Sequence, residues 1–555
     1  MIKIFMTLRA VDPKVLNAGI IPVVPFEGDL LSPQQLTALG SKITFKQDDI
    51  EGLIREAKKR AAKEGGVNLE QQMRLGAIAS AARGHASMTT SVVFAAYFSG
   101  VSKFIDTMFT GTRFGSSIMP SGRNIGVELE NIVAPISIVS STQEVQSIYE
   151  EQSRSNLFLY QRLQEEGIPK QEAAKITQYG IDGGGSMILP LETLISFRQE
   201  MELEDKGHLP TEWGQIVSAL EEPLDQLGAE FLYQARLQAP SSTFPHLHPF
   251  KDPRPSSFVG DLEDSLIQGM IEERFELNTE ADFDRRATGL KGALRNLLEM
   301  QEATFKDPTL VRDHWRKLKY ERQRIARDYQ EALKLTSFMK MSWRVQGELK
   351  RHRATPQQVG SIYRAIDKAI NTFSWLMPEI DALANGTDLP ERAYLHINNV
   401  FEIPESLRGK GPLLGEYLMQ AKSSLYAYTS LVERGVPVGD ALYVVPRGLK
   451  LPVYKETDLW DLLVGCTPLR TCGTAEPEMQ RLSNLEANAA RQFFIEEFGE
   501  EYEKLIGPKC HPRGYCPETW KKCCRQVDGA IDFKYTREFH EEMERLREKA
   551  ILDQF

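Results

Sequence analysis

Cysteine is scarce in this chain, with six residues in 555. So few exclude a disulfide framework and suit a reducing compartment. No stretch approaches the roughly 20 apolar residues that a membrane helix needs. The opening residues, MIKIFMTLRAVDPK, lack the long apolar core of a secretory signal. A cytoplasmic protein without membrane contact is therefore expected. A basic excess is missing too: 67 Lys and Arg against 77 Asp and Glu leave a net charge of −10. General nucleic-acid binding draws on a basic surface and is not expected. A local basic pocket for a phosphorylated small molecule remains open. Regular alternation of strands and helices is also absent, which argues for α+β and against a doubly wound sheet.

What is present is a repeat. Residues 155–169 read SNLFLYQRLQEEGIP and residues 423–437 read SSLYAYTSLVERGVP. Seven identities fall in register: Ser155/Ser423, Leu157/Leu425, Tyr160/Tyr428, Leu163/Leu431, Glu165/Glu433, Gly167/Gly435 and Pro169/Pro437. The offset of 268 is close to half of 555, which points to a duplicated domain. Residues 1–240 form the first domain, 241–265 a Pro/Ser-rich linker and 266–555 the second, with a cysteine-containing tail. Each is expected to hold a small sheet packed with several helices. Helical spacing predicts helices over Asp49–Lys63 and Leu318–Leu335. The apolar run Ser91–Phe98 predicts a buried strand, broken at Gly100. A helix over Val101–Phe109 and a polar loop over Gly111–Gly122 follow.

Three blocks carry chemistry. Residues 85–123 hold His85-x-Ser87, then Gly100-x-Ser102, then a loop with Arg113, Ser116, Ser121, Gly122 and Arg123. Residues 348–353 read ELKRHR, with Ser361 beyond them, and residues 470–481 read RTCGTAEPEMQR. A nucleoside monophosphate carries about two negative charges near neutral pH, which charge-assisted bonds from Arg hold strongly. Backbone N–H groups of a Ser/Gly loop add donors. Three basic residues at a helix end ordinarily just suit the helix dipole. Glu348 before them and Ser361 after them set this case apart.

These blocks resemble the flavin-dependent thymidylate synthases, the ThyX family. Its signature is RHRxxSxxxxSxR, preceded by His-x-Ser and Gly-x-Ser and followed by RxxxxAQxEIR. Half one matches at His85, Ser87, Gly100, Ser102, Arg113, Ser116, Ser121 and Arg123, but Gly111 and Thr112 replace the first Arg and His. Half two, 240 positions on, keeps Glu348, Arg351, His352, Arg353 and Ser361. It has Pro356 and Tyr363 in place of the first serine and the last arginine, and Ile325 in place of His85. Arg470, Ala475 and Glu478 match the late motif. Ser196-Phe197-Arg198 fits an Asn-x-Arg element that lies near the flavin in the family, with Ser in place of Asn.

The resemblance implies FAD as cofactor, methylenetetrahydrofolate and NADPH as co-substrates, and conversion of dUMP to dTMP without an enzyme nucleophile. It implies catalytic roles for Ser121, Arg123 and Arg351. His85, Ser87, Arg198, Arg351, His352 and Arg353 would hold cofactor. Glu348, Ser121, Gly122, Arg123 and Arg470 would hold substrate. The losses in the two halves are complementary, which implies one composite site and a homodimer imitating a four-domain assembly. The family's phosphate-holding arginine is replaced by Ala174 and Leu442, with Lys175 and Arg447 nearby. Two alternatives stay open: C5 modification of another pyrimidine nucleotide, and a non-catalytic flavin- or nucleotide-binding paralogue. Cys510, Cys516, Cys523 and Cys524 are weak zinc candidates, because C-x5-C-x6-CC is not the paired CxxC spacing. His246 and His248 are read as part of a surface linker.

Overall fold

The computed structural model describes residues 8–20, 69–120, 126–203, 207–239, 246–250, 283–306 and 311–510. It also describes strands 25–26, 29–30 and 272–277 and a few isolated positions. Most of the helix expected over Asp49–Lys63 lies outside these residues. Two compact units emerge. Unit 1 comprises residues 1–252, 373–388 and 409–447; unit 2 comprises 253–372, 389–408 and 448–555. Neither is a continuous half of the chain, so the units and the sequence repeat divide it differently.

Unit 1 is built on strands β1 (Lys14–Ile20), β2 (Val93–Ser102), β3 (Ser116–Ile118) and β4 (Asp182–Pro190). They form an antiparallel sheet in the order β1-β2-β4-β3. Period-two alternation puts Phe94, Ala96 and Phe98 of β2 into the core and leaves Tyr97 exposed on the other face. The strand does not break at Gly100. It bulges there, between Ser99 and Val101, and runs on to Ser102. Gly100 has φ of +71°, and a Cβ would stand 2.1 Å from the Asp12 carbonyl oxygen, so only glycine fits. Helix α1 (Lys103–Thr110) follows, capped by Ser102 Oγ, which accepts from the Phe104 N–H at 3.2 Å. Further on come α2 (Gln143–Glu165), α3 (Leu191–Leu203) and α4 (Thr211–Glu221).

Residues 246–250 are not a surface linker. His246 Nε2 lies 2.6 Å from Ser196 Oγ, and His248 Nε2 lies 2.6 Å from Glu200 Oε1, both on α3. Phe250 is fully buried and stacks on Phe104 at 4.7 Å. Burial pushes the His246 imidazole down to about 4. The apolar content of a short Pro-rich stretch gave no periodic signal, so its burial was hidden in the sequence.

Unit 2 has β5 (Glu272–Leu277), helices α5 (Phe283–Lys306) and α6 (Val311–Asp328), β6 (Leu333–Ser342), α7 (Trp343–Leu349) and β7 (Gln357–Val359). The helix expected over Leu318–Leu335 therefore ends at Asp328. From Leu333 the buried residues recur at every second position (Leu333, Leu335, Ser337, Met339, Met341), a strand period. A later 23-residue helix, α8 (Gly411–Glu433), belongs to unit 1. Unit 2 resumes with β8 (Lys450–Asp458), α9 (Leu459–Leu463), α10 (Cys466–Arg470) and α11 (Pro477–Glu497). Its sheet order, β5-β6-β8-β7, repeats that of unit 1 strand for strand. Leu290, Leu294, Leu297, Leu318, Ile325, Leu462, Ala490 and Phe494 form its helical core. The fold is α+β, as expected.

The two copies of the repeat pack against each other inside unit 1, as the helix pair α2 and α8. Gln152 Nε2 donates to Ser424 Oγ at 2.9 Å, and Gln420 Nε2 donates to Asn156 Oδ1 at 2.7 Å. Gln152 and Gln420 are 268 positions apart, as are Asn156 and Ser424. Each contact is thus the counterpart of the other, the pattern of a two-fold interface within one chain.

Candidate functional site

The site grows out of α7. Strand β6 ends at Ser342, whose Oγ accepts from the Val345 N–H at 3.3 Å and starts the helix. Trp343, Val345 and Leu349 anchor it in the core. The helix stops after Leu349, and its last carbonyls find side-chain donors. Gln357 Nε2 donates to the Leu349 and His352 carbonyls at 3.3 and 3.1 Å. Arg470 Nη2 donates to the Glu348 carbonyl at 3.0 Å. The turn so fixed carries Arg351, which is exposed, and His352 and Arg353, which are half-buried.

Arg470, in the last turn of α10, binds two more partners. Its Nη1 donates to Glu348 Oε2 at 3.0 Å, and its Nε donates to His352 Nε2 at 2.8 Å. Burial, then the charges of Arg470 and Lys455, push the His352 imidazole down to about 3. The ring is neutral, with Nε2 as acceptor and the proton on Nδ1. Burial and the neighbouring Arg351 lower Arg353 as well. Behind the cluster, Lys455 donates to Glu486 Oε2 at 2.6 Å, and Ser337 Oγ donates to the other Glu486 oxygen at 2.5 Å. Thr355 Oγ1 donates to Asp461 Oδ2 at 2.8 Å.

Glu348, His352 and Arg470, far apart in sequence, are therefore brought together, with Arg351 and Arg353 in the same turn. In unit 1, His85 and Ser87 are exposed at the start of the short helix Ser87–Thr90. Arg198 Nε donates to Glu221 Oε1 at 2.7 Å, its Nη2 donates to the other carboxylate oxygen, and Tyr233 shares the same carboxylate. Ser121, Gly122 and Arg123 lie outside the described residues, as do Cys516, Cys523 and Cys524. Cys466, Cys472 and Cys510 are buried. Among the described residues no three His, Cys, Asp or Glu side chains are placed to hold a metal. Ala174 and Leu442 are both buried, and so are Lys175 and Arg447. Arg447 Nε donates to the Thr177 carbonyl at 3.2 Å, and its guanidinium lies 5.4 Å from the Tyr179 ring.

Sequence reasoning missed a carboxylate fork that occurs in both units. Ser102 N–H and Oγ donate to the two oxygens of Glu212, each at 2.6 Å. Ser342 N–H and Oγ donate to the two oxygens of Glu478 at 2.6 and 2.5 Å. The signal was there: a Ser ending a strand and a Glu in the first turn of a helix, in both halves.

Residues 318–494, which contain this site, match the family described as thymidylate synthase complementing protein. The flavin-dependent thymidylate synthase of Pyrococcus horikoshii is 33% identical over 145 residues, 24% of this chain and 57% of that protein. That of Pyrococcus abyssi is 27% identical over 152 residues, 26% of this chain and 55% of that protein. The chain thus spans rather more than half the length of these relatives. A UMP/dUMP methylase, PolB, of Streptomyces cacaoi, solved with 5-Br dUMP, aligns with 42% of this chain and 99% of its own. The identity there is 12% and the TM-score 0.31. The family match and the two Pyrococcus relatives bear out the resemblance read from the motifs: the chain is similar to the flavin-dependent thymidylate synthases.

Proposed function

We propose that this protein is a flavin-dependent enzyme that methylates a pyrimidine nucleoside monophosphate, dUMP to dTMP. Methylenetetrahydrofolate would be the carbon donor and NADPH the reductant. The observation that carries the reading is the Arg470–Glu348–His352 cluster beside Arg351 and Arg353. It joins the RHR turn and the late Arg, two motifs 117 positions apart by their Arg353 and Arg470 members. FAD fits the donor set on this turn: an exposed guanidinium and a half-buried one suit its pyrophosphate, and a neutral imidazole adds a polar edge without charge. When bound, the flavin supplies the hydride chemistry. Arg351 and Arg353 would hold the anionic part. Arg470 and Glu348 would present a donor and an acceptor to a pyrimidine base. His352, held neutral, accepts from Arg470 and would donate from Nδ1 to a ligand without repelling a neighbouring cation.

The half-one residues His85, Ser87, Ser121, Gly122 and Arg123 enter this proposal from their motifs alone. Arg198 would have to exchange Glu221 to reach a cofactor. The duplication with its boundary at 241–265, and a homodimer, belong to the same proposal. A second reading, another pyrimidine nucleotide, is favoured by one observation: Ala174 and Leu442 supply no cation, and Arg447 is buried on Thr177. Incubation with FAD, NADPH and methylenetetrahydrofolate, with dUMP or dCMP, followed by mass spectrometry, separates the two. Methylated product from dUMP supports the first reading and from dCMP alone the second.

A further inference from the structure

One stretch of chain, residues 470–478, holds both ends of α7. Arg470 binds its C-terminal end through the Glu348 carbonyl and carboxylate and through His352. Glu478 binds its N-terminal end, gripping the backbone N–H and hydroxyl of Ser342. The carboxylate is buried, and so is Ser342. Glu478 sits in the first turn of α11, a 21-residue helix. Glu476 caps that helix by accepting from the Met479 N–H at 3.0 Å. Ala487, Ala490 and Phe494 root α11 in the core of unit 2. A short helix held by charge-assisted bonds at both ends keeps little freedom to slide or tilt.

We infer that Glu478 is a positioning residue: through Ser342 it fixes α7 so that Glu348 and His352 meet Arg470. This rests on the functional reading given above only for what the cluster binds. Unit 1 supplies an internal comparison. Its Ser102–Glu212 fork has the same geometry, but α1 carries Met108 where α7 has Glu348, and Gly111 stands where Arg351 does. The fork in unit 1 therefore positions no such cluster.

The test uses the full chain with isotope-labelled histidine, and reads the proton affinity of His352 by NMR. The His352 signal is assigned by its loss in His352→Gln. The charged groups that act on the ring are Arg470 from α10 and Lys455 from β8; Glu348 and Arg351 lie on its own segment. In Glu478→Gln, α7 shifts and the Arg470–His352 bond loosens, so His352 gains at least about tenfold in proton affinity. Ser342→Ala, a milder change, moves it in the same direction by less. Glu212→Gln, the same chemical change in unit 1, leaves it unmoved. The inference is overturned if His352 keeps its wild-type titration in folded Glu478→Gln, or if Glu212→Gln moves it equally. Should Glu478→Gln not fold, Ser342→Ala decides alone. No flavin or nucleotide is needed, so failure of the functional reading would be seen separately.

Discussion

Arg470 donates from Nε to Nε2 of His352 at 2.8 Å, which makes the imidazole an acceptor and requires it to be neutral. Burial and the cations Arg470 and Lys455 enforce the same state. The folded value lies below the unfolded one, so acid works against the fold: the contribution is full above about 6.5 and falls as the pH drops below it. The wild-type chain should show His352 as the Nδ1–H tautomer, untitrated down to about pH 4 by nitrogen NMR. Titration near 6.5 would refute the bond.

Glu212 gives the opposite pH dependence. Burial raises its carboxyl to about 7 from the ordinary 4.5, although donors from Ser102 and Tyr443 pull it down. A raised value lends stability that is complete below about 4.5 and is lost as the pH rises through about 7. The slope approaches about 1.4 kcal/mol per pH unit between these limits. Thermal melts at about pH 5 and about pH 8 should differ less in Glu212→Gln than in the wild type. An equal difference in both proteins would remove Glu212 as the cause.

Arg322 is buried, and among the described residues its hydrogen bonds go to carbonyls and to no carboxylate. It donates from Nε to the Leu463 carbonyl and from Nη2 to the Leu505 carbonyl, both at 2.6 Å, and so closes two helix ends. Burial pushes it down to about 9. Arg322→Ala strands two buried carbonyls and should cost about 3 kcal/mol in urea unfolding. A loss below about 1 kcal/mol would show that the carbonyls find other donors.

Asn156 is the hub of the α2–α8 pair. Its Oδ1 accepts from Gln420 at 2.7 Å, Ser424 at 2.9 Å and Gln152 at 3.1 Å, and its Nδ2 donates to Gln178 at 3.2 Å. Asn156→Ala leaves several buried groups unsatisfied and should cost about 2–4 kcal/mol. Ser423→Ala removes one donor at the edge and should cost about 1 kcal/mol or less. Equal losses would contradict a hub.

Much of this was legible in residue patterns. The repeat at 155 and 423 marked the two helices that pair, because identical faces kept identical residues. The strand at Ser91–Phe98 was legible from its apolar run, and a helix beyond Gly100 was expected, but the break at Gly100 was a misreading: the strand runs on to Ser102 and the helix starts at Lys103. The bulge was not legible, since the extra residue at Gly100 is visible only against its partner strand. The RHR turn and Arg470 stood out as charged motifs, but nothing local said that one guanidinium would bind both Glu348 and His352. Residues 246–250 misled, because proline and serine around them masked two histidines and a phenylalanine that fill the core. Glu478 was visible in the late motif, yet its fork with Ser342 depends on a tertiary approach across 136 positions.

The central claim is that this turn serves a flavin and a pyrimidine nucleotide. It is tested most directly by adding FAD to the purified chain and to Arg351→Ala, then following dTMP formation from dUMP with methylenetetrahydrofolate and NADPH. The account predicts a yellow, FAD-loaded wild type that forms dTMP, and a variant that loses product at least about 100-fold. A wild type that stays colourless and forms no methylated nucleotide, or a variant as active as the wild type, would contradict it.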